Sequence, residues 1–424
     1  MTTPIFIFED NEVKNLQPLT YTRPVYDLRC GILTLKEKAE RYFPGREILL
    51  HTREYLIDSV KQNFPSNKVN EIPENIDELI FINGRVVVDN EFANNLESDG
   101  NDSAYYSDGT LIAVKLSSDR LQDARKNTGN IGEFLSSLDL PEKEISATVI
   151  KYPWNLVHQN GQELVKDYNL LTKNEQVKIK GKVYDGVNMV EPDNIFIGEG
   201  SKIKPGVVLD AEGGPIYIGK NVTIFPNSVI EGPCYIGDGS KIKVGAKIYE
   251  NTSIGPVCKV GGEVEESIIH SYSNKQHDGF LGHAYLGCWV NLGADTNNSD
   301  LKNNYGNVKV FINDEQIDSG SMFVGLTMGD HSKSGINTMF NTGTVVGVGC
   351  NVFGADFPPK YIPSFSWGGS ESLTTYKLDK CMEVAKRVMA RRDVEFTAAD
   401  EKIFKTVFEL TKGERALREF PEEV

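Results

Sequence analysis

Six histidines are spread along the 424 residues, and three of them, His270, His277 and His283, follow at steps of seven and six. An imidazole titrates near neutral pH, so each is a candidate general base. The competing reading of each is a corner residue whose nitrogens are satisfied by backbone. His331, in Gly329-Asp-His-Ser332, reads as such a corner residue. A second group lies near the N-terminus, where Thr22, Arg23, Arg29 and Lys38 surround Cys30-Gly31. Arginine suits bidentate phosphate contacts, so these four can together hold a triphosphate; the alternative is a solvated polar loop.

The elements that must position the histidines are set by a period of six. Ile218, Ile224, Ile230, Ile236, Ile242, Ile248, Ile254 and Val260 keep that step without a slip, and glycine follows at Gly219, Gly237, Gly255 and Gly261. Neither a helix nor a two-faced strand has this period. It is the hexapeptide signature of a parallel β-helix, in which three units close one coil and positions about eighteen residues apart stack. Gly206, Asn221, Asn227 and Asn251 are expected at the corners, where bulkier residues resist the turn conformation. Coils are expected from about Phe196 to Val260. A non-repeat loop is expected near 295–320, with coils resuming from Met322 to about Gly354 and ending at Pro358–Pro363.

Ahead of the repeat, strand patterns at Pro4–Phe8, Glu47–Thr52, Glu78–Asn83 and Thr110–Leu116 alternate with helix patterns at Thr34–Tyr42, Arg53–Gln62 and Ile131–Leu138. This alternation predicts an α/β domain whose ligands sit at the carboxyl ends of the strands. A polar segment, 169–186, is expected to link it to the coils. After the coils, Leu378, Met382, Ala385, Val388 and Met389 recur at helical spacing, and Thr397-Ala-Ala-Asp400 reads as a capped second helix. The expected division is 1–180 for the α/β domain, 181–368 for the β-helix and 369–424 for the helical tail. Lys386, Arg387, Arg391 and Arg392 on the first tail helix can reach a phosphate, but read first as a solvated face.

Sixty acidic against forty-five basic side chains give a net charge of −15, which disfavours nucleic acid and anionic membrane as partners. No apolar run is long enough to cross a bilayer and residues 1–30 lack a signal-peptide layout, so a cytoplasmic protein is expected. Six scattered cysteines contain no CxxC pair, which argues against a disulfide set or zinc site.

Thr22-Arg23-Pro24, Ile82-Asn-Gly-Arg85 and Tyr152-Pro-Trp-Asn-Leu-Val157 resemble the divergent sugar nucleotidyltransferase domain of GlmU-related bifunctional proteins. The stretch from Asn274 to Gly306 resembles the acetyltransferase half of the same family. The resemblance implies a left-handed β-helix, a homotrimer, acetyl-CoA and UTP as cosubstrates, and magnesium for the first half. Counting back from Phe280-Leu-Gly282 places His277 on the family's catalytic histidine. Asn291 falls on its sugar-binding asparagine, Lys243 and Lys259 on candidate phosphate contacts, and Phe280 replaces a sugar-binding tyrosine. Ala294, Asn304 and Tyr305 fall on acetyl-CoA contacts. In the first half, Asn83-Gly84 with Thr22, Arg23, Arg29 and Lys38 are the implied nucleotide contacts. The family's glycine-rich nucleotide loop is absent, Gly84-Arg85 replaces the glycine-aspartate pair that supplies a metal ligand, and Asp89 is the substitute candidate. The function expected is a UDP-N-acetylglucosamine diphosphorylase and glucosamine-1-phosphate N-acetyltransferase. The alternatives are a nucleotidylyltransferase for another sugar-1-phosphate, such as glucose-1-phosphate with dTTP, and a trimeric nucleotide-sugar-binding scaffold with a dead site. The three histidines also resemble the zinc ligands of γ-class carbonic anhydrases. Their steps put them on successive sides of one coil, so that site needs ligands from neighbouring chains.

Overall fold

The computed structural model describes residues 3–97 and 102–417. Its first part is a six-stranded mixed sheet. Ile5–Phe8 (β1) pairs in parallel with Ile48–Leu50 (β2) and Glu78–Asn83 (β3). Ser103–Ser107 (β4), Thr110–Ser117 (β5) and Glu142–Glu144 (β6) complete the order β2-β1-β3-β5-β4-β6, with β5 antiparallel to β3 and β4. Helices Leu35–Tyr42 (α1), Ile57–Asn63 (α2), Asn90–Glu97 (α3), Ser118–Lys126 (α4) and Ile131–Ser136 (α5) connect or flank these strands. Thr34 caps α1 through a capping box with Glu37, as Thr-x-x-Glu spacing allows.

The segment expected to begin a linker is instead the end of a 20-residue helix, Pro153–Thr172 (α6), with proline in its first turn. This helix lies between the sheet and the coils. Asn160 donates to the Asn251 carbonyl at 2.7 Å, and its side-chain oxygen accepts from Gly31 N–H at 2.7 Å and the Ser253 hydroxyl at 3.0 Å. Gly161 permits the approach, since a β-carbon there would lie 2.1 Å from the Asn251 side-chain oxygen.

The second part is a three-sided prism of parallel sheets. Ile218 pairs with Ile236 and Ile236 with Ile254, eighteen residues apart, and all three are fully buried. Each such side chain contributes about 1.5–3 kcal/mol of burial, which is why the period survives in the sequence. Asn221, Asn227, Asn251 and Gly206 have φ of 55°, 60°, 56° and 77°, the left-handed conformation that the corners require. Coils start earlier than the repeat suggests, at Lys182–Val183, and continue past Val260 with tighter turns: Ile254 pairs with Ile269, fifteen residues on. The insertion after Asn297–Asn298 carries an antiparallel hairpin, Lys309–Ile312 with Glu315–Asp318. The prism also outlasts Pro363, because Asn351 and Val352 pair with Trp367 and Gly368.

Three tail helices follow among the described residues: Leu378–Ala390 (α7), Ala398–Leu410 (α8), which has the expected Thr397/Asp400 capping box, and the short Lys412–Ala416 (α9). The first two bury their stripes: Met389 packs on Cys288 and Trp289, and Ile403, Phe404 and Val407 join the core shared with the α/β domain, while Lys402 pairs with Asp58 of α2 at 2.9 Å on the surface. No helix among the described residues is long and apolar enough to cross a membrane.

Candidate functional site

One face of the prism carries an outward ladder built by register. Lys259 pairs with Asn274, Asn274 with Asn291, and Asn291 with Lys333. Two residues before each of the last three, Tyr272, Trp289 and His331 occupy left-handed corners with φ of 55°, 61° and 60°. Their rings stack along the prism edge, Tyr272 on Trp289 at 4.3 Å and Trp289 on His331 at 5.9 Å. The C-terminal end of α7 and the turn after it close over the ladder, leaving a cavity of about 260 Å³ lined by Lys259, Asn274, Gln276, Asn291, Lys333, Arg391 and Arg392, with the Tyr272 and Trp289 rings.

The electrostatics of this cavity are one-sided. Among the described residues no carboxylate lies within ion-pair distance of Lys259, Lys333, Arg391 or Arg392. Burial and the neighbouring Arg392 lower the Lys259 pKa, and burial lowers that of Lys333. Four cations left without a carboxylate favour an anion. Arg392 donates to the Asn274 side-chain oxygen at 2.8 Å, and Asn274 donates to that of Asn291 at 3.2 Å, so the sugar-binding candidate is oriented from the tail helix. The reading as a solvated face is therefore corrected for Arg392, while Arg391 lines the cavity and stays exposed. That reading holds for Arg387, which pairs with Glu383, and for exposed Lys386.

His277 follows Gln276 and is exposed at the next corner of the same face. The corner one coil later stacks directly on it, Asp295 N–H donating to the Asp278 carbonyl at 3.0 Å, so Ala294 and His277 share an edge. Lys243 stacks over Phe225 at 5.5 Å and lies outside the cavity lining, as does Phe280, whose N–H donates to the Asn297 side chain at 2.7 Å. Asn304 and Tyr305 sit on the exposed insertion loop, Tyr305 being 68% exposed. Lys333, Asn274 and Gln276 are not singled out by the sequence; their signal is register alone, and for Lys333 the insertion after Asn291 hides it.

The other histidines have separate partners. His270 is buried against Arg23 at 3.3 Å and the Asp27 carbonyl at 2.8 Å, and burial with the two nearby arginines holds its pKa well below the ordinary value. For His283, burial alone would lower the pKa, but hydrogen bonds and charge from Asp300 (2.8 Å) and Glu266 (3.2 Å) outweigh it and raise it to about 9. His331 is a buried corner residue. No group of three metal-binding side chains forms among the described residues, so the shared zinc site is not assembled within this chain.

In the α/β domain the four phosphate candidates do not converge. Lys38 is fully buried and pairs with Glu163 at 2.7 Å and Asp167 at 2.6 Å of α6. Arg29 donates to the Ile32 carbonyl and lies over the Tyr235 ring. Thr22 and Arg23 both turn to Asp330 of the prism. The sequence hid these partners because each is more than 120 residues away, except for Ile32. The crevice at the carboxyl ends of β1 and β3 is lined instead by Asp10, Asn11, Glu12, Asn83, Arg85 and Glu133, about 490 Å³ in volume. Arg85 is paired with Asp10, and Asn83 donates to Asp10 at 2.7 Å. Gly84 donates its N–H to the Phe8 carbonyl at 2.7 Å, fixing the turn after β3. Asp89 accepts from Phe92 N–H at 3.1 Å, capping α3, and pairs with Lys166 at 3.4 Å. Both oxygens are thus engaged, and the site does not fit the magnesium role expected for it.

Residues 5–176 match the family described as sugar nucleotidyl transferase, and residues 215–250 match the bacterial transferase hexapeptide family. A bifunctional sugar-1-phosphate nucleotidylyltransferase/acetyltransferase of Sulfurisphaera tokodaii is 29% identical over 236 residues, covering 52% of this chain and 50% of that one. The chain thus joins a sugar nucleotidyltransferase-like part to hexapeptide repeats, and it is similar to bifunctional proteins of the GlmU type. The bifunctional protein GlmU of Synechococcus elongatus is 30% identical over 183 residues, and that of Acidithiobacillus ferrooxidans 33% over 170, each alignment covering 38% of this chain and 36% of the relative. The chain spans half or less of the length of these curated relatives.

Proposed function

We propose that this chain is a two-site transferase acting on an amino-sugar phosphate: an acetyl-CoA-dependent N-acetyltransferase on the prism, and a nucleotidyltransferase in the α/β crevice. The observation that carries the first half is the convergence of Asn291, Lys259, Lys333, Arg391 and Arg392 on one cavity, with exposed His277 outside the lining but next in the chain to the lining residue Gln276. A sugar phosphate places its phosphate among the four cations and its hydroxyls against Asn291 and Gln276. The glucosamine amine attacks the thioester carbonyl and gives its proton to the His277 imidazole; the C–N bond forms, the C–S bond breaks, and the CoA thiolate leaves to take up a proton. The reading assigns the developing oxyanion to backbone N–H groups of the corner. Ala294 on the same edge, with Asn304 and Tyr305 on the exposed loop, is the reading for acetyl-CoA, and a homotrimer would bring that loop to a neighbouring prism.

For the α/β half the reading is uridylyl transfer from UTP to the acetylated sugar phosphate, in the crevice beside Asn83 and Arg85. The internal ties of Lys38, Arg29 and Arg23 favour a second reading for this half, a domain that binds a nucleotide-sugar without reacting it. Supplying glucosamine-1-phosphate, acetyl-CoA and each nucleoside triphosphate separately, while following free CoA and pyrophosphate, tests both. CoA with pyrophosphate from UTP supports the two-site reading, CoA alone supports the second, and neither removes the function from both halves.

A further inference from the structure

The inward ladder on the His277 side of the prism runs Ile224, Ile242, Val260 and then Lys275. A lysine takes a core position in a stack of aliphatic side chains, and it is 2% exposed. It forms no ion pair among the described residues; its ammonium donates to the His277 carbonyl at 2.8 Å. Room for it is made by Gly262, where φ is 71° and a β-carbon would stand 2.6 Å from both the Lys275 nitrogen and the His277 carbonyl oxygen. A buried amine without a carboxylate costs stability that an apolar side chain at the same place would not.

We propose that Lys275 is a positioning residue for His277: its ammonium pins the carbonyl of the corner from inside the prism and so holds the imidazole where it can accept the amine's proton. This rests on the acetyl-transfer reading of the same corner. Burial lowers the lysine pKa to about 8, against Asp278, Asp295 and Glu263, which raise it, while Lys247 lowers it further. The group therefore carries a charge at neutral pH only at some cost to the fold, as expected of a residue kept for its effect on the corner rather than for packing.

Lys275→Met keeps the volume and restores the apolar ladder. Its thermal midpoint should equal or exceed that of the unaltered protein. Its kcat for acetyl transfer should fall about 10–100-fold, the usual cost of an ångström-scale misplacement, with KM for glucosamine-1-phosphate within about twofold. Adding Lys275→Met to His277→Ala should cost no further rate, because the lysine acts through the histidine. Amide exchange at 276–279 should quicken in Lys275→Met while the rest of the prism keeps its protection. Unchanged kcat with unchanged exchange at this corner would overturn the proposal, as would a lowered midpoint with kcat and KM impaired together. If the unaltered protein releases no CoA, the acetyl-transfer reading fails by itself, and exchange at 276–279 still decides whether Lys275 pins the corner.

Discussion

Arg23 and Asp330 are separated by 307 positions and form a buried ion pair that joins the loop after β1 to the wall of the prism. Asp330 also accepts from the Thr22 hydroxyl at 2.7 Å and from Cys288 N–H at 2.8 Å, so one carboxylate gathers three donors across the domain seam. Replacing it with alanine leaves the Arg23 guanidinium buried with only Asp27 at 3.6 Å and His270 nearby. Asp330→Ala is expected to lose about 3–5 kcal/mol of unfolding free energy in a denaturant titration, the usual result of orphaning one partner of a buried pair.

Lys38 supplies a direct test of a structural against a phosphate-binding role. Lys38→Met takes the buried cation from Asp167, which keeps the Ile32 and Leu33 N–H groups, and from Glu163, which keeps Lys166 at 3.0 Å, and should destabilise by about 3 kcal/mol. Wherever the variant is folded, its KM for nucleoside triphosphate should match that of the unaltered chain. A raised KM with unchanged stability would return Lys38 to the nucleotide site.

His283 makes stability depend on pH. Its folded pKa, about 9, lies above the ordinary value of 6.5, so the charged clamp on Asp300 and Glu266 is fully present below about pH 6.5 and is lost as pH rises through 9. His283→Asn should therefore be less stable than the unaltered protein at pH 6, by on the order of 2–3 kcal/mol, with the difference closing by about pH 10. Parallel denaturant titrations at the two pH values check it.

In the proposed reading Arg391 and Arg392 hold the sugar phosphate, so their loss should weaken substrate binding more than turnover. Arg391→Ala with Arg392→Ala is expected to raise KM for glucosamine-1-phosphate by about tenfold or more, at roughly 1.5–3 kcal/mol for hydrogen bonds to a charged group, with kcat changed far less. Steady-state kinetics separate the two parameters.

Much of this architecture was legible because its cause is periodic. The isoleucine ladder announces the prism, and Thr34/Glu37 and Thr397/Asp400 announce two helix starts, since each rule is local in the chain. Helix α6 escaped the same reading because its buried side carries Asn160, Glu163 and Asp167, between 0% and 3% exposed, which look like a solvated face until Lys38 and the prism corner supply their partners. The phosphate candidates of the first domain misled for the same reason: the residues that neutralise or hold them come from distant parts of the chain. On the prism, Lys259 and Asn291 were visible, whereas Lys333 joins them only once the insertion is folded aside and the register restored.

The proposal for the prism stands or falls with the imidazole at position 277. The direct measurement is the rate of free-thiol release from acetyl-CoA and glucosamine-1-phosphate by folded His277→Ala beside the unaltered protein. A drop of about 10²–10⁴-fold, with binding of the sugar phosphate retained, is the predicted result. An undiminished rate would contradict the assignment of His277 as the proton acceptor.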